Sequence, residues 1–434
     1  MYEMNGNLDK KNLQETNVGR RVAIIGAGPG GLSAGIALYQ AGFDVKIFER
    51  HKKTKALGGA IILNAIGINI LRSYGIKADD LATTAIQRFR RFDGHQRVVQ
   101  QFEPSLLKKA NVSGWMAGLM RSDLYERLLS KISDGMIVND HNFISYEEGP
   151  EGVKILFEGG KTYVADLLIG ADGVNSLVRK QLWGESDIQH LGIAVWLGWT
   201  EFEGPNRNEI VLNHGDIHQF GYAPLVFKGK NCFEWWFVEP CEENQPEPSD
   251  PSSYISERVK SFVYPVPEML NSTNSQNLYR WLIKYREPLS AWSKGRVTIL
   301  GDAAHPTSPY AAYGAGMALE DGYFLGKYLQ GIDLSDDTAL QKGLLKYDNQ
   351  RVNYTNNVVE FAKTLGKVFH NAPKPVRIFR DFMMDYTKIP QRQIIKNSVK
   401  DAETLLKTVL ELERENSRVP YTKIEYNEDK SVKI

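Results

Sequence analysis

The sequence predicts an α/β protein in which a parallel-sheet domain carries an inserted antiparallel β-sheet and is followed by C-terminal helices. Three short apolar runs, 22–25, 167–169 and 297–300, each lead directly into a glycine. Such runs are typical of buried parallel strands. Residues 192–239 instead contain strand-like segments rich in Trp and Tyr. Helical periodicity dominates the rest of the chain.

These changes of character set the predicted domain boundaries. Residues 1–19 and 417–434 are polar and lack apolar periodicity, so we expect flexible tails. The remaining chain divides into the first part of the parallel-sheet domain, a mainly antiparallel domain, the return of the first domain and a helical region: 20–185, 186–290, 291–335 and 336–416.

Composition excludes several classes of protein. Lys and Arg together number 53 against 52 Asp and Glu, so the net charge of +1 offers no bulk attraction to nucleic acid. Cys232 and Cys241 cannot make a disulfide framework and have no companions at metal-ligand spacing. The apolar stretch Val22–Leu38 is broken by glycines and a proline. We expect a cytoplasmic monomer or homodimer with no metal, no nucleic-acid partner and no integral membrane segment.

A βαβ unit begins at residue 22. The strand Val22–Ile25 runs into Gly26-Ala-Gly-Pro-Gly-Gly31, a helix follows, and Val45–Phe48 forms a second strand that ends before Glu49. Gly26 permits a tight turn, Gly28 lets the backbone approach a pyrophosphate, and Gly31 lets helix and strand pack closely. Glu49 is placed to accept hydrogen bonds from a ribose diol. The unit therefore predicts dinucleotide binding without choosing between FAD and NAD.

Two later segments repeat the strand-then-turn pattern. Residues 166–173 read Asp-Leu-Leu-Ile-Gly-Ala-Asp-Gly, and residues 297–305 read Val-Thr-Ile-Leu-Gly-Asp-Ala-Ala-His. After the second come Pro309, Gly314 and Gly316, and then a helix with apolar periodicity.

With these motifs in this order, the sequence resembles the class A flavoprotein monooxygenases of the para-hydroxybenzoate hydroxylase fold, in particular their salicylate-hydroxylase-like branch. Weaker matches lie at 58–65 and 121–128, and the resemblance spans about residues 20 to 330. It implies a Rossmann-like FAD-binding domain holding non-covalent FAD, with NADH or NADPH as co-substrate.

The resemblance also implies roles for individual residues. Asp302 would hold the ribityl chain of FAD, Arg121 would contact the phosphate or ribityl region, and Asp172 would serve the pyrophosphate and the approach of the nicotinamide. The remaining implied FAD contacts are the glycine turn with the residues that end the second strand, and the backbone that would face the isoalloxazine ring: Gly26, Gly28, Gly31, Glu49, Arg50, Gly314, Gly316 and Met317.

The implied reaction is hydroxylation of an aromatic or conjugated small molecule with O2 through a flavin C4a-hydroperoxide. Epoxidation, halogenation and reduction of an isoprenoid double bond are alternatives on the same fold. A non-catalytic FAD-binding protein is an alternative of another class. The segment 234–240 does not match the Trp-x-Trp-x-Ile-Pro signature of flavin-dependent halogenases.

Period-two geometry places His218, Phe220 and Tyr222 on one face of a predicted strand. That face either lines an aromatic substrate pocket or packs into a helix-covered core. Pro309 and Tyr310 are further candidates for substrate contact. His305 has two open interpretations, a proton donor or a structural residue that hydrogen-bonds the backbone.

Overall fold

The computed structural model describes residues 18–53, 59–101, 103–307, 314–390 and 400–416. In chain order its strands are β1 Arg21–Ile25, β2 Asp44–Phe48, β3 Ala60–Asn64, β4 Ala82–Thr84, β5 Ile86–Arg91, β6 Gln96–Gln101, β7 Met116–Met120, β8 Ile137–Val138, β9 Phe143–Gly149, β10 Gly152–Phe157, β11 Thr162–Ala165, β12 Leu167–Gly170, β13 Gln189–Glu201, β14 Glu209–His214, β15 Gln219–Phe227, β16 Lys230–Pro240, β17 Tyr279–Tyr285 and β18 Val297–Ile299.

The α-helices, in the same order, are α1 Pro29–Gln40, α2 Ala65–Ser73, α3 Pro104–Lys109, α4 Arg121–Leu129, α5 Leu177–Trp183, α6 Pro251–Val259, α7 Val266–Asn271, α8 Gly314–Leu329, α9 Asp337–Gly366, α10 Lys374–Tyr386 and α11 Lys400–Asn416.

A parallel sheet forms the first layer, with strand order β18-β12-β1-β2-β8. Its strands are almost wholly apolar because both faces are covered. On one face α1 packs against α8 at very short range. A Cβ added to Gly322 would lie 2.3 Å from the Ala34 nitrogen, and one added to Gly326 would lie 2.5 Å from the Ala37 Cβ. Glycine at these positions lets the two helices touch.

The large sheet forms the second layer. Its main path is β17-β13-β16-β15-β14-β5-β6, and β7 joins it beside β15 and carries β3 and β4. Residues 60–120, which the sequence placed in the parallel-sheet domain, therefore supply strands to this sheet. A separate antiparallel sheet comprises β9, β10 and β11. The parallel and antiparallel layers confirm the predicted fold class.

Helices α6 and α7 cover one face of the large sheet. Side chains such as Ile255 and Met269 pack onto Phe220, Trp235 and Phe237 there. The C-terminal helix α9 runs beside the other face of the large sheet. Helix α11 packs against α2 through Ala402, Leu406 and Val409. Within the described residues, no helix is both long and apolar enough to cross a bilayer.

Candidate active site

A cavity of about 1110 Å³ lies between the two sheets. One end is bordered by the glycine turn after β1, by Arg121 and by the turn that carries Asp302. The other end is walled by the large sheet and by apolar residues of α9, including Phe361 and Leu365. One continuous space therefore joins the predicted nucleotide-binding motifs to the inserted sheet.

The glycine turn has the geometry of a pyrophosphate cradle. Gly26 has φ +106°, and a Cβ on Gly31 would lie 2.0 Å from the Gly26 carbonyl oxygen. A Cβ on Gly28 would meet nothing within 4 Å, because this residue borders the cavity. Gly28 precedes α1 and supplies no side-chain cap, so the amides of the first helical turn remain available to an anion. These features fit the phosphates of FAD.

Glu49 holds this turn to the end of β2. Its Oε2 accepts a hydrogen bond from the Ala27 amide at 3.0 Å, and its Oε1 accepts one from the His51 amide at 2.9 Å. Glu49 is buried, Arg50 is exposed, and neither lines the cavity. The contact of Glu49 and Arg50 with the adenosine part of FAD stays a prediction. In the structure, Glu49 fixes the conformation of the glycine turn.

Asp302 lies in the short 3-10 turn Gly301–Ala303 and is open to the cavity. The surrounding protein desolvates its carboxylate, which raises its pKa, while His305 and Arg121 act in the opposite direction. An accessible carboxylate facing a cation across a cavity suits a ligand with hydroxyl groups, such as the ribityl chain. Arg121 begins α4, and its guanidinium carbon lies 5.9 Å from the Trp281 ring centroid.

A buried polar network fixes the Asp302 turn from behind. Asp321 Oδ2 accepts a hydrogen bond from the Gly301 amide at 2.9 Å and lies 2.5 Å from His305 Nε2. Asp321 Oδ1 accepts one from Arg351 Nε at 2.7 Å. Burial opposes ionisation of Asp321, but His305 and Arg351 lower its pKa. His305 is buried and off the cavity wall, so the geometry favours the structural interpretation of this histidine.

Arg179 supports the same turn from α5. Its Nη1 donates to the carbonyl oxygens of Ala303 at 3.1 Å and Ala304 at 2.7 Å. Burial lowers its pKa to about 10. The sequence gives no sign of this role, because the carbonyl partners of Arg179 lie more than a hundred residues away.

Asp172 has a role that was not predicted. Its carboxylate accepts hydrogen bonds from Ser176 Oγ at 2.5 Å and from the Leu177 amide at 2.8 Å, so it caps the start of α5. Its neighbours Ala171 and Gly173 line the cavity, whereas Asp172 does not. The predicted contact of Asp172 with the pyrophosphate and with the approach of the nicotinamide stays a prediction, and its observed role is to cap α5 together with Ser176.

The start of α8 carries the backbone that was predicted to face the isoalloxazine ring, and this contact stays a prediction. Gly314 and Ala315 line the cavity, whereas the side chain of Met317 is fully buried. Gly316 lies in the same first turn, whose amides have no partner within the helix. The substrate candidates Pro309 and Tyr310 lie outside the described residues.

The structure corrects the predicted substrate face of β15. Phe220 and Tyr222 are 0% and 3% exposed and pack in the core beneath α6 and α7. The His218 ring lies on the same side, 5.4 Å from the Phe237 ring centroid. The cavity is lined by none of the three side chains His218, Phe220 and Tyr222. It is lined by Gln219, which lies on the opposite face of β15. Alternation along the strand was predicted correctly, but the face assigned to substrate was wrong.

Sequence reasoning also missed the polar groups on the true cavity face. Gln219 Nε2 lies 2.7 Å from His214 Nε2, and both side chains are buried. Burial holds the pKa of His214 well below its usual value, so the ring is neutral and accepts the hydrogen bond from Gln219. Glu234 on β16 also lines this face. A lone carboxylate inside the apolar segment 233–238 was the available signal.

Comparison with known proteins decides the family. The model described as "FAD binding domain" matches residues 20–362. The chain belongs to this family. Its predicted class A flavoprotein monooxygenase fold and its FAD cofactor are thereby confirmed, and its homologues are flavin-dependent oxidoreductases.

Individual relatives cover most of this flavoprotein. It is 29% identical over 352 residues to the aurachin C monooxygenase/isomerase of Stigmatella aurantiaca, which covers 81% of this chain and 90% of the relative. It is 28% identical over 370 residues to the 3-hydroxybenzoate 6-hydroxylase of Polaromonas naphthalenivorans, with coverages of 80% and 88%. The structure of Klebsiella pneumoniae HpxO complexed with FAD and uric acid aligns with a TM-score of 0.76 at 25% identity, covering 90% of this chain and 97% of HpxO.

Proposed function

We propose that this flavoprotein is a monooxygenase that uses NADH or NADPH and O2 to hydroxylate an aromatic small molecule. The observation that carries the proposal is the continuous cavity, which begins at the glycine turn and Asp302 and ends at the large sheet. FAD, when bound, supplies the redox chemistry: it accepts a hydride from the nicotinamide and activates O2.

The residues of this chain would bind FAD and orient its ring. The glycine turn and the start of α1 would hold the phosphates, Asp302 and Arg121 would hold the ribityl region, and the first turn of α8 would offer amide donors to the ring. The Asp321 network keeps Asp302 in place when the cofactor enters.

The substrate end of the cavity favours a flat, largely apolar molecule. Trp236 lies close over Gly221, where an added Cβ would come 2.2 Å from the indole. Leu197, Leu212 and Phe89 line the same wall, so aromatic surface is buried and water is excluded from the reacting end. The polar side chains on this wall can orient a ring by hydrogen bonds; they are Gln87, Gln100, His214, Gln219 and Glu234.

The relatives support this choice of chemistry. One is a 3-hydroxybenzoate 6-hydroxylase and another an aurachin C monooxygenase/isomerase, so the activity of each relative includes an oxygenation. Epoxidation is the second candidate, since the related zeaxanthin epoxidases match about 70% of the chain.

The test is a screen of phenols, quinolones and polyketide-like aromatics with the purified FAD-loaded protein. We expect one class to accelerate NAD(P)H consumption and to gain one oxygen atom, detected by mass spectrometry with isotopically labelled O2. Label in an epoxide would favour the second candidate. Failure of NAD(P)H to reduce the bound flavin with every compound would contradict both.

A further inference from the structure

Glu234 is a buried carboxyl group in the wall of the cavity. It lies on β16 on the same face as Trp236 and Val238, and the residue is 5% exposed. Its Oε1 has no hydrogen-bond partner among the residues that the structure describes. An unpaired buried carboxyl destabilises a fold. The residue lines the cavity, so a ligand there can approach the carboxyl group, while the unpaired Oε1 itself is turned toward Gly118 on β7.

The surroundings of Glu234 are shaped to accept a carboxyl group. Its neighbours on the adjacent strands are Ala223 and Trp199, which offer no side-chain acceptor. Gly118 on β7 leaves room above it, because a Cβ there would lie 2.8 Å from Glu234 Oε1. Burial raises the pKa of Glu234 to about 8.

Several ionisable groups line the same cavity: Arg121, His214, Lys284, Asp302, Lys400 and Asp401. Cys232 lies two residues away from Glu234 on the same strand. Desolvation is the cause of the raised Glu234 pKa, and none of these groups offsets it. The carboxyl is therefore poised to change charge when a ligand enters the cavity.

We propose that Glu234 is the proton acceptor for the substrate, which must then carry a phenolic O–H or a comparably acidic ring N–H. This inference rests on the proposed function and narrows its substrate class. In the step, the substrate O–H or N–H bond breaks, the proton moves to the Glu234 carboxylate, and the electron pair stays on the substrate. No oxidant or reductant takes part in this transfer.

The step has a clear chemical purpose. Removing the proton places electron density on the ring, which makes the ring a better nucleophile toward an electrophilic oxygen. A general base works best when its pKa lies near the operating pH and near that of the proton donor. A fully solvated carboxylate would be too weak a base for a phenol. Burial raises the pKa of Glu234 and so makes its carboxylate a stronger base.

The first experiment measures the carboxyl group itself. Infrared difference spectra between wild-type and Glu234→Gln protein, both FAD-loaded and without substrate, should show a protonated carboxyl band that disappears as pH rises through about 8. A band lost already near the ordinary glutamate pKa would overturn the proposal. This readout does not depend on turnover.

The second experiment compares turnover of 4-nitrophenol, 1-naphthol and 4-hydroxyquinoline with that of their methyl ethers. We expect each phenolic compound to be hydroxylated and its methyl ether not to be, with kcat/KM for the phenolic compound rising as pH rises through about 8. Glu234→Gln should lower kcat by about 100-fold or more and abolish that rise, while Glu234→Asp should retain a rising limb. FAD affinity should change in neither variant.

The matched control is Glu239→Gln on the same strand. Glu239 is also buried, but it faces away from the cavity and accepts hydrogen bonds from Trp196 and Tyr254. It should keep the wild-type pH profile. Equal turnover of ether and phenol, or an unchanged profile in Glu234→Gln, would overturn this inference while leaving the monooxygenase activity standing. Absence of any NAD(P)H-dependent oxygenation by the wild type would instead overturn the proposed function.

Discussion

His305 Nε2 lies 2.5 Å from Asp321 Oδ2, and both side chains are buried behind the turn that presents Asp302 to the cavity. The same carboxylate binds the Gly301 amide and Arg351. The position of Asp302 therefore depends on α8 and α9 as well as on its own strand. This support explains the His of the Gly-Asp-Ala-Ala-His segment without a part in proton transfer.

Asp321→Asn should lower the free energy of unfolding by about 3–5 kcal/mol, because Arg351 would lose a buried counter-charge. Urea unfolding followed by fluorescence measures this change. Asp337→Asn is the control, since its ion pair with Arg296 is largely exposed and should contribute below about 1 kcal/mol. Similar losses in the two variants would contradict a special role for the buried network.

Asp302→Ala should weaken FAD binding by about 1.5–3 kcal/mol, since a charged acceptor for hydroxyl groups is removed. Titration of apoprotein with FAD, followed by flavin fluorescence, gives the dissociation constant. Asp401→Ala removes another carboxylate from the cavity rim, on α11, and should leave FAD affinity nearly unchanged. Equal effects would show that bulk negative charge, rather than the Asp302 position, matters.

His370 should make the protein less stable in mild acid. Burial lowers its pKa from 6.5 to about 4, and its Nδ1 lies 2.6 Å from the Ile217 carbonyl oxygen. Between these pH values the unfolded chain binds a proton that the folded protein does not. Stability is therefore fully present above about pH 6.5 and is lost as pH falls, by about 1.4 kcal/mol per pH unit.

Urea unfolding of wild type and His370→Asn at several pH values from about 7 to about 5 tests this prediction. Asparagine can still donate to the Ile217 carbonyl but does not titrate, so the difference in slope isolates His370 from His214 and the carboxyl groups. An equal pH dependence of the free energy of unfolding in the two proteins would refute the assignment of this acid sensitivity to His370.

Trp236→Leu should raise KM and divert NAD(P)H oxidation toward hydrogen peroxide, because the substrate loses an aromatic wall. Tyr222→Phe should change neither quantity, since Tyr222 lies in the helix-covered core. The measurement is the ratio of hydroxylated product to NAD(P)H consumed. A low product ratio in Tyr222→Phe together with a normal ratio in Trp236→Leu would contradict this expectation. It would place the substrate on the Tyr222 face of β15.

The fold was predictable because local pattern and cofactor chemistry agree. Gly26, Gly28 and Gly31 must be small for steric reasons that are visible in the sequence, and the strands around them are continuous apolar runs. The segment 192–239, in which aromatic strands were predicted, also agrees within a few residues with the span of β13 to β16. In both cases the signal lies within a few neighbouring residues.

The substrate side was not predictable to the same degree. Both faces of β15 are buried, one beneath helices and one against the cavity, so alternation gives no sign that distinguishes Tyr222 from Gln219. The capping role of Asp172 was not predicted, because a helix cap and a ligand contact need the same short carboxylate. Arg179 and Arg351 act on partners distant in sequence, which no local pattern reveals.

The strand order of the parallel sheet has a consequence for biosynthesis. Neighbours β1, β12 and β18 come from three widely separated parts of the chain, and α8, which ends at Leu329, completes the cofactor end of the cavity. In the large sheet, β14, β15 and β16 instead pair with each other as consecutive antiparallel strands. A nascent chain can therefore assemble that part of the large sheet on the ribosome, but it can capture FAD only after α8 has emerged.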